Sequence, residues 1–419
     1  MRSRVFLLNI IILLLYAGSL RSQPLRLEDC QVKARANYPL VKQYDLIAKS
    51  TEYTISNASK AYLPQISVTG IGGYIIQGLP TMIPGAEASK DKFQFIGIAQ
   101  VNQALWDGGA TRAQKEIEKA SAEVDKASID VALYAITERV NQLFFSILLL
   151  DEQHQLLNLL KDNLERNSKA VKLSNENGLA YSMDVDEVKV EILKVEQRIT
   201  ELVYTRQGYA KMLALMTGVP ADGNIQLVKP GMDALPEPAP INRPELSLYQ
   251  FQRKQLEAGN KMIKAGNMPK IGLLGAGIMI QPGMAFGTEK LKSLAIAGLN
   301  FSWNTRNLYT SSNNRELSRI SLDRINNQQE TFLFNTNLQL TQQQSDIEKQ
   351  KTVLAKDIEI LKLKSNIKKA YELKYQNGMC TMNDLLMATN GESDASANRA
   401  LHEIQLLMSI YAYKTTSGN

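Results

Sequence analysis

Apolar positions along the chain change period several times, and each change marks an element. From Ile66 a period of two places Ile66, Val68, Gly70, Gly72, Tyr74 and Ile76 on one face of a strand. A second such run sets Phe93, Phe95, Ala99, Val101 and Leu105 opposite Gln94, Gln100 and Asn102, and Trp106 closes it before Asp107-Gly108-Gly109 turns the chain. From about Ala110 to Asn175 there is then neither proline nor glycine, and Ile117, Ala120, Val124, Ala127, Val131 and Tyr134 follow the 3,4 spacing of a coiled-coil seam. Glu138 interrupts that seam, and apolar positions resume in a shifted register from Val140 to Leu150. At ~1.5 Å per residue such a helix would be roughly 100 Å long, more than a globular domain of this size needs. Val185, Val188, Ile192, Val195, Ile199 and Leu202 keep the same spacing up to Gly218, so Gly178 marks the tip of a long helical hairpin. Upstream, Leu27 to Tyr62 is helix-compatible until Pro64, which biases its predecessor towards extended backbone.

The same plan returns about 200 residues later. Asn177-Gly178 before Asp184 is echoed by Asn377-Gly378 before Asp384, and Met216-Thr217-Gly218 by Thr416-Ser417-Gly418. Tyr62-Leu63-Pro64-Gln65-Ile66, followed by Gly70 and Gly72, is echoed by Asn267-Met268-Pro269-Lys270-Ile271, followed by Gly275 and Gly277. A period this long is that of a duplicated half-molecule, not of a solenoid. The predicted organisation is a leader over 1–22, a first repeat over 23–218, a proline-rich linker over 219–244 and a second repeat over 245–419. The first repeat holds a helix, strands at 65–78 and 92–106 and a hairpin with its tip near 178. The second holds a helix, strands at 270–281 and 291–303 and a hairpin with its tip near 378. Loops are expected around Pro80, Pro84 and Gly85, and at Pro282-Gly283.

Composition sets the compartment. Arg2 and Arg4, an apolar run from Val5 to Tyr16 and then Ala17, Gly18 and Ser19 have the order of a secretory signal peptide, with cleavage expected between Ala17 and Gln23. No later stretch reaches the ~18 consecutive apolar residues of a membrane helix. The chain carries 48 basic and 42 acidic residues, and losing Arg2, Arg4 and Arg21 lowers its net charge from +6 to +3, which does not support a nucleic-acid footprint. Cys30 and Cys380 read as unpaired thiols, and the acidic neighbours Glu28 and Asp29 argue against lipid attachment at Cys30. His154 and His402 read as exposed helix positions. Leu406 stands where a zinc-protease motif beginning at His402-Glu403 would need its second histidine, and Gly70-x-Gly72 lacks the third glycine of a dinucleotide loop. No nucleophile–base pair, phosphate loop or metal cluster is legible, so neither enzyme chemistry, a cofactor nor a metal is expected.

The strands demand more. Each is long enough to cross a bilayer when tilted, for which ~9–11 residues suffice. Four strands cannot close, and an open sheet is not viable in lipid, where every backbone group must be paired within the protein. Other copies of the chain must complete them: two would give 8 strands and three would give 12. Trp106 and Trp303 are expected to anchor at the membrane edge, in contact with outer-membrane lipid.

Several segments then carry a specific likeness. Leu25 to Cys30 with Ala36-Asn37-Tyr38-Pro39, Ala61-Tyr62-Leu63-Pro64-Gln65, Gln103 to Gly109, and Tyr375, Gly378, Thr381 and Asp384-Leu385-Leu386 resemble TolC-like outer-membrane efflux proteins over essentially the whole mature chain. The resemblance implies a homotrimer with a 12-stranded transmembrane β-barrel continued by a coiled-coil α-barrel into the periplasm. It implies a passive exit duct for efflux or type I secretion, working with a periplasmic adaptor and a proton- or ATP-driven inner-membrane transporter. It also implies an aperture at the hairpin tips, with Asp384 and its counterpart Asp184 as ringing carboxylates that would favour cations or raise one another's pKa. Tyr375 and Thr381 would hold the closed state, and Gly178 and Gly378 would supply the turns at which the adaptor docks. Two departures stand out: the often basic position two past the tip glycine is Ala180 or Cys380, and Met387 replaces a second acidic ring. The second repeat also reads Trp303-Asn304-Thr305-Arg306 in place of an aspartate-glycine-glycine corner. Two blander readings compete. Asp184 and Asp384 would serve as solvated carboxylates in the first turn of a helix, and the whole chain as a soluble periplasmic coiled-coil scaffold without channel activity.

Overall fold

The structure is a computed structural model that describes residues 24–74, 76, 93–178, 180–220, 225–231, 240–281 and 292–419. The leader, the two strand-connecting loops and parts of the proline-rich linker lie outside the described residues. The elements run α1 (Leu27–Asn37), α2 (Lys42–Ser59), β1 (Gln65–Tyr74), β2 (Phe93–Trp106), α3 (Ala110–Glu176), α4 (Ser182–Thr217), α5 (Pro244–Gly266), β3 (Lys270–Ile280), β4 (Lys292–Ser302), α6 (Arg306–Gln376) and α7 (Met382–Ser417). The stretch expected as one helix to Tyr62 is in fact two. Tyr38, the residue before Pro39, is extended at ψ 131°, and a short 3-10 turn at Pro39–Val41 separates α1 from α2. Proline disfavours helical backbone in its predecessor, which is why the break falls there.

The residues group into two compact units: 1–41, 129–244 and 331–419 in the first, and 42–128 and 245–330 in the second. The helical first unit has a fully buried aromatic centre. Phe144 and Phe145 meet edge-to-face at 5.7 Å, and Phe145 lies 5.4 Å from the Tyr411 ring. The 18-residue window of α3 that is apolar enough to cross a membrane is 56% buried. Its hydrophobicity is therefore spent on this interior, where Val140, Phe144, Phe145 and Ile147 are completely covered. Cys30 is also fully buried, which raises its thiol pKa to about 11. Both cysteines are free.

α1 and the segment 225–231 are tied into this unit by polar contacts. Leu25 forms a parallel bridge with Leu227, and Gln31 donates to Asn141 Oδ1 at 2.6 Å. Asn37 Nδ2 donates to the carbonyls of Leu215 and Met216 and so occupies acceptors left over at the end of α4. Lys229 pairs with Glu152 at 3.1 Å and Glu403 at 2.8 Å, while Arg206 pairs with Asp151 and donates to the Ile225 carbonyl. None of these long-range pairs leaves a periodic trace in the sequence.

The second unit contains an antiparallel sheet in the order β1-β2-β3-β4, two strands from each half of the chain. The register aligns Val68, Ala99, Gly277 and Ala295 in one row and Thr69, Ile98, Ile278 and Leu294 in the next. One face thus carries Ile66, Val68, Phe95, Val101, Leu273, Met279, Leu299 and Phe301, while the other mixes Gln65, Ser67, Thr69, Gln100 and Asn102 with Ile71, Ile96, Ile98, Ile278, Leu294 and Ile296. On the first face the apolar side chains stand open: Val68 is 77% and Leu299 77% exposed. β1 and β4 are sheet edges without a paired neighbour among the described residues.

Candidate functional site

The hairpin tips are built alike. At the first, Gly178 (φ 72°) carries the chain out of α3, Asn177 Nδ2 donates to the Leu173 carbonyl at 2.8 Å and Asn175 Nδ2 to the Ala180 carbonyl at 2.9 Å. At the second, Gly378 (φ 67°) follows Asn377, whose Nδ2 donates to the Leu373 carbonyl at 2.7 Å. Left-handed backbone at the end of a helix is what glycine supplies without a steric penalty.

Both candidate carboxylates start the next helix. The Tyr181 N–H donates to Asp184 Oδ2 at 2.9 Å. Thr381 donates to Asp384 Oδ2 through its N–H at 2.9 Å and its hydroxyl at 2.7 Å, and its hydroxyl oxygen in turn accepts the Asp384 N–H at 3.2 Å. This is a reciprocal capping box. The Thr381 bonds hold the Asp384 carboxyl below its usual range. Within one chain the geometry therefore acts against the elevated pKa that three like charges would impose. Both bonds to the Asp384 side chain fall on Oδ2, so capping leaves Oδ1 available.

The two tips share one cluster. Leu160, Leu164, Val171, Val188, Val195, Met382, Leu385 and Leu386 form a buried core against which Ala180, Val185, Tyr371 and Tyr375 pack. Burial first, and then the charge of Asp184, raise the Tyr375 hydroxyl pKa, and Tyr375 from the second hairpin packs on the same cluster as Val185 of the first. Asn390 of α7 donates to Glu191 of α4 at 3.1 Å. Met387 is 67% exposed. Cys380 is half-buried and its thiol leans on the Tyr371 carbonyl at 3.6 Å.

At the other candidate site, the end of the sheet, Trp106 is 42% and Trp303 51% exposed. The Asp107 carboxylate accepts hydrogen bonds from Tyr62 Oη at 2.8 Å, Gly109 N at 3.0 Å and Thr111 N at 2.6 Å. Burial raises its pKa, but the bonds from Thr111, Tyr62 and Gly109 outweigh that effect and leave it lowered. The second-half corner is built differently. Asn304 Oδ1 accepts from Arg306 N at 3.1 Å, and Trp303 Nε1 donates to the Asn267 carbonyl at 3.1 Å. His402 is not the solvated position expected. Its Nδ1 lies 2.5 Å from the Oδ2 of buried Asp357, because α6 and α7 pack together there through Ile347, Leu354, Leu406 and Ile410.

The chain thus combines an antiparallel four-stranded sheet, with β1 and β4 at its edges, and helices of 67 and 71 residues. The family model described as "Outer membrane efflux protein" matches residues 31–219. The outer-membrane channel OprN resembles the chain at a TM-score of 0.65 and 13% identity, over 94% of this chain and 89% of that one. The Campylobacter jejuni CmeC outer membrane channel does so at 0.65 and 12%, over 94% and 85%. The open state of the Neisseria gonorrhoeae MtrE outer membrane channel does so at 0.64 and 14%, over 94% and 89%. No curated protein matches by sequence. The family model thus covers the first half of the chain, and the fold over nearly its whole length is that of the outer-membrane channels.

Proposed function

We propose that three copies of the chain form the exit duct of a tripartite export system, receiving substrate from an inner-membrane transporter through a periplasmic adaptor. The observation that carries this reading is the pair of open sheet edges at β1 and β4. In lipid their unpaired groups need partners, and the β4 edge of one copy meeting the β1 edge of the next supplies them, closing 12 strands with three copies. The duct needs no energy source of its own. The test is purified chain in detergent and planar bilayers: trimeric mass with discrete conductance supports the reading. A protein that stays soluble without detergent and gives no channels is instead a periplasmic scaffold.

The apolar sheet face would then meet lipid. Val68→Lys is expected to lower barrel stability by about 2–4 kcal/mol near the bilayer midplane, whereas Thr69→Lys, on the opposite face, is expected to assemble. The amount of heat-resistant oligomer in outer-membrane fractions distinguishes them.

At the tips, Asp384 is the leading aperture carboxylate, with Asp184 and Tyr375 behind it and Gly178 and Gly378 presenting turns to the adaptor. Asp384→Ala should reduce the cation preference of the closed pore, read as a shift in reversal potential; unchanged single-channel recordings would remove Asp384 from the aperture. Thr381→Ala should instead cost about 0.5–2 kcal/mol at the helix start while preserving ion preference. Because the folded Asp384 carboxyl is lowered, its contribution is present above the unfolded value of about 3.9 and is lost as pH falls through the folded one. The difference in melting temperature between wild type and Asp384→Ala should therefore shrink in acid.

A further inference from the structure

Two neighbouring hollows in the sheet-bearing unit carry an unusual concentration of positive charge. The first, about 330 Å³, lies between the start of α3 and the end of α5, lined by Gly108, Gly109, Arg112, Glu116, Lys261, Lys264 and Met268 among others. The second, about 340 Å³, lies between α5 and α6 and adds Arg253, Glu257, Arg315 and Arg319. Six basic residues against the carboxylates of Glu116 and Glu257 give these surfaces a formal +4, where the whole chain carries +6. Arg253, Glu257, Lys261 and Lys264 fall on one stripe of α5 by their 3- and 4-residue spacing.

The bases are not equivalent. Glu116 is held by Lys261 at 2.6 Å and by Arg112 at 3.4 Å. Arg253 donates to Asn326 and Gln329. Lys264 lines both hollows, is exposed, and has no carboxylate within ion-pair distance among the described residues. Its surroundings, an ion pair carrying a surplus cation on one side and Arg253, Arg315 and the Glu316-paired Arg319 on the other, would reject a cation and attract an anion.

Position narrows the choice of anion. Gly108 comes two residues after Trp106, which ends β2, and Met268 two residues before Lys270, which begins β3. All four strands meet their helices at this end of the sheet, so in a membrane-crossing barrel the first hollow lies at headgroup depth, the layer that suits Trp106 at the end of β2. Basic pockets at that depth recognise lipid phosphates. We propose that the first hollow, centred on Lys264 with Arg112 and Lys261, binds the phosphate of an anionic phospholipid headgroup in the periplasm-facing leaflet. Met268 and Ala265 form an apolar wall beside it. This proposal rests on the duct reading for its membrane depth.

The test uses the full chain in nanodiscs of phosphatidylglycerol mixed into phosphatidylcholine, with retained lipid counted by native mass spectrometry. Wild type is expected to retain phosphatidylglycerol over phosphatidylcholine, and Lys264→Glu to lose at least about fivefold of that preference, one basic residue near an anionic surface being worth about that factor. Lys254→Glu, on the same helix but outside both hollows, should retain it. Equal retention by wild type and Lys264→Glu overturns the proposal. So does saturation of the site by inorganic phosphate alone with no lipid preference, which would make it a free-phosphate site. Conductance of the same samples is recorded in parallel: channels without lipid preference reject the lipid site and keep the duct, whereas the absence of channels rejects the duct.

Discussion

Phe145→Ala is expected to destabilise the helical unit by about 3–5 kcal/mol. The ring is completely buried, meets Phe144 edge-to-face and lies against Tyr411. Its removal loses transfer free energy and leaves a void that α3 and α7, pinned by contacts along their length, cannot collapse to fill. The Tyr134 hydroxyl donates to the Thr415 carbonyl at 2.7 Å and Asn141 Nδ2 to the Thr415 hydroxyl at 3.0 Å, which fixes that spacing. Thermal unfolding of the detergent-solubilised protein by circular dichroism measures the loss. A shift no larger than that of an exposed replacement such as Leu159→Ala would show that the centre repacks.

The second large effect belongs to the corner between β2 and α3. Gly108 has φ 71°, and a β-carbon there would stand 2.6 Å from Met268 Cβ and 3.0 Å from the Ala265 carbonyl. Gly109 has φ 88° but open space around it. Both alanine variants therefore incur the left-handed penalty of about 1–2 kcal/mol, and Gly108→Ala adds overpacking of about 1–3 kcal/mol. The expected result is that Gly109→Ala assembles with a lowered melting temperature, while Gly108→Ala yields little heat-resistant oligomer. Equal yields would mean that the segment between α5 and β3 gives way at Met268. The same corner holds the Asp107 carboxylate with its three donors, so its displacement would strand a charge that the fold has partly desolvated.

Much of the architecture was legible because the chain is strongly patterned. The two period-two runs predicted β1 and β2, the glycine- and proline-free stretch predicted α3, and Asn-Gly at 177–178 and 377–378 marked turns whose glycines do take positive φ. The coiled-coil seam was less well placed. Val124, Val131 and Tyr134 are only half-buried, and the more deeply covered line runs through Ala122, Ile129, Leu133, Ile136, Val140 and Leu143. A helix with neighbours on two sides carries two apolar lines, and spacing alone does not rank them. The tip carboxylates were found by their echo across the duplication, but their capping bonds depend on rotamers that no spacing reveals. The pairing of His402 with Asp357 and the clamp of Lys229 on Glu152 and Glu403 join residues tens to hundreds of positions apart and leave no local signal.

The sequence by itself determined the kinds of the elements, their approximate lengths and the turn positions, because these follow from backbone geometry and side-chain period. Only the tertiary structure decided that β2 pairs with β3 across the two halves, that Tyr375 and Val185 pack on one cluster, and that separate basic stretches of α3, α5 and α6 line adjoining hollows. Those are contacts between segments far apart in the chain, chosen by packing of whole helices and strands and not by any local preference of the residues that make them.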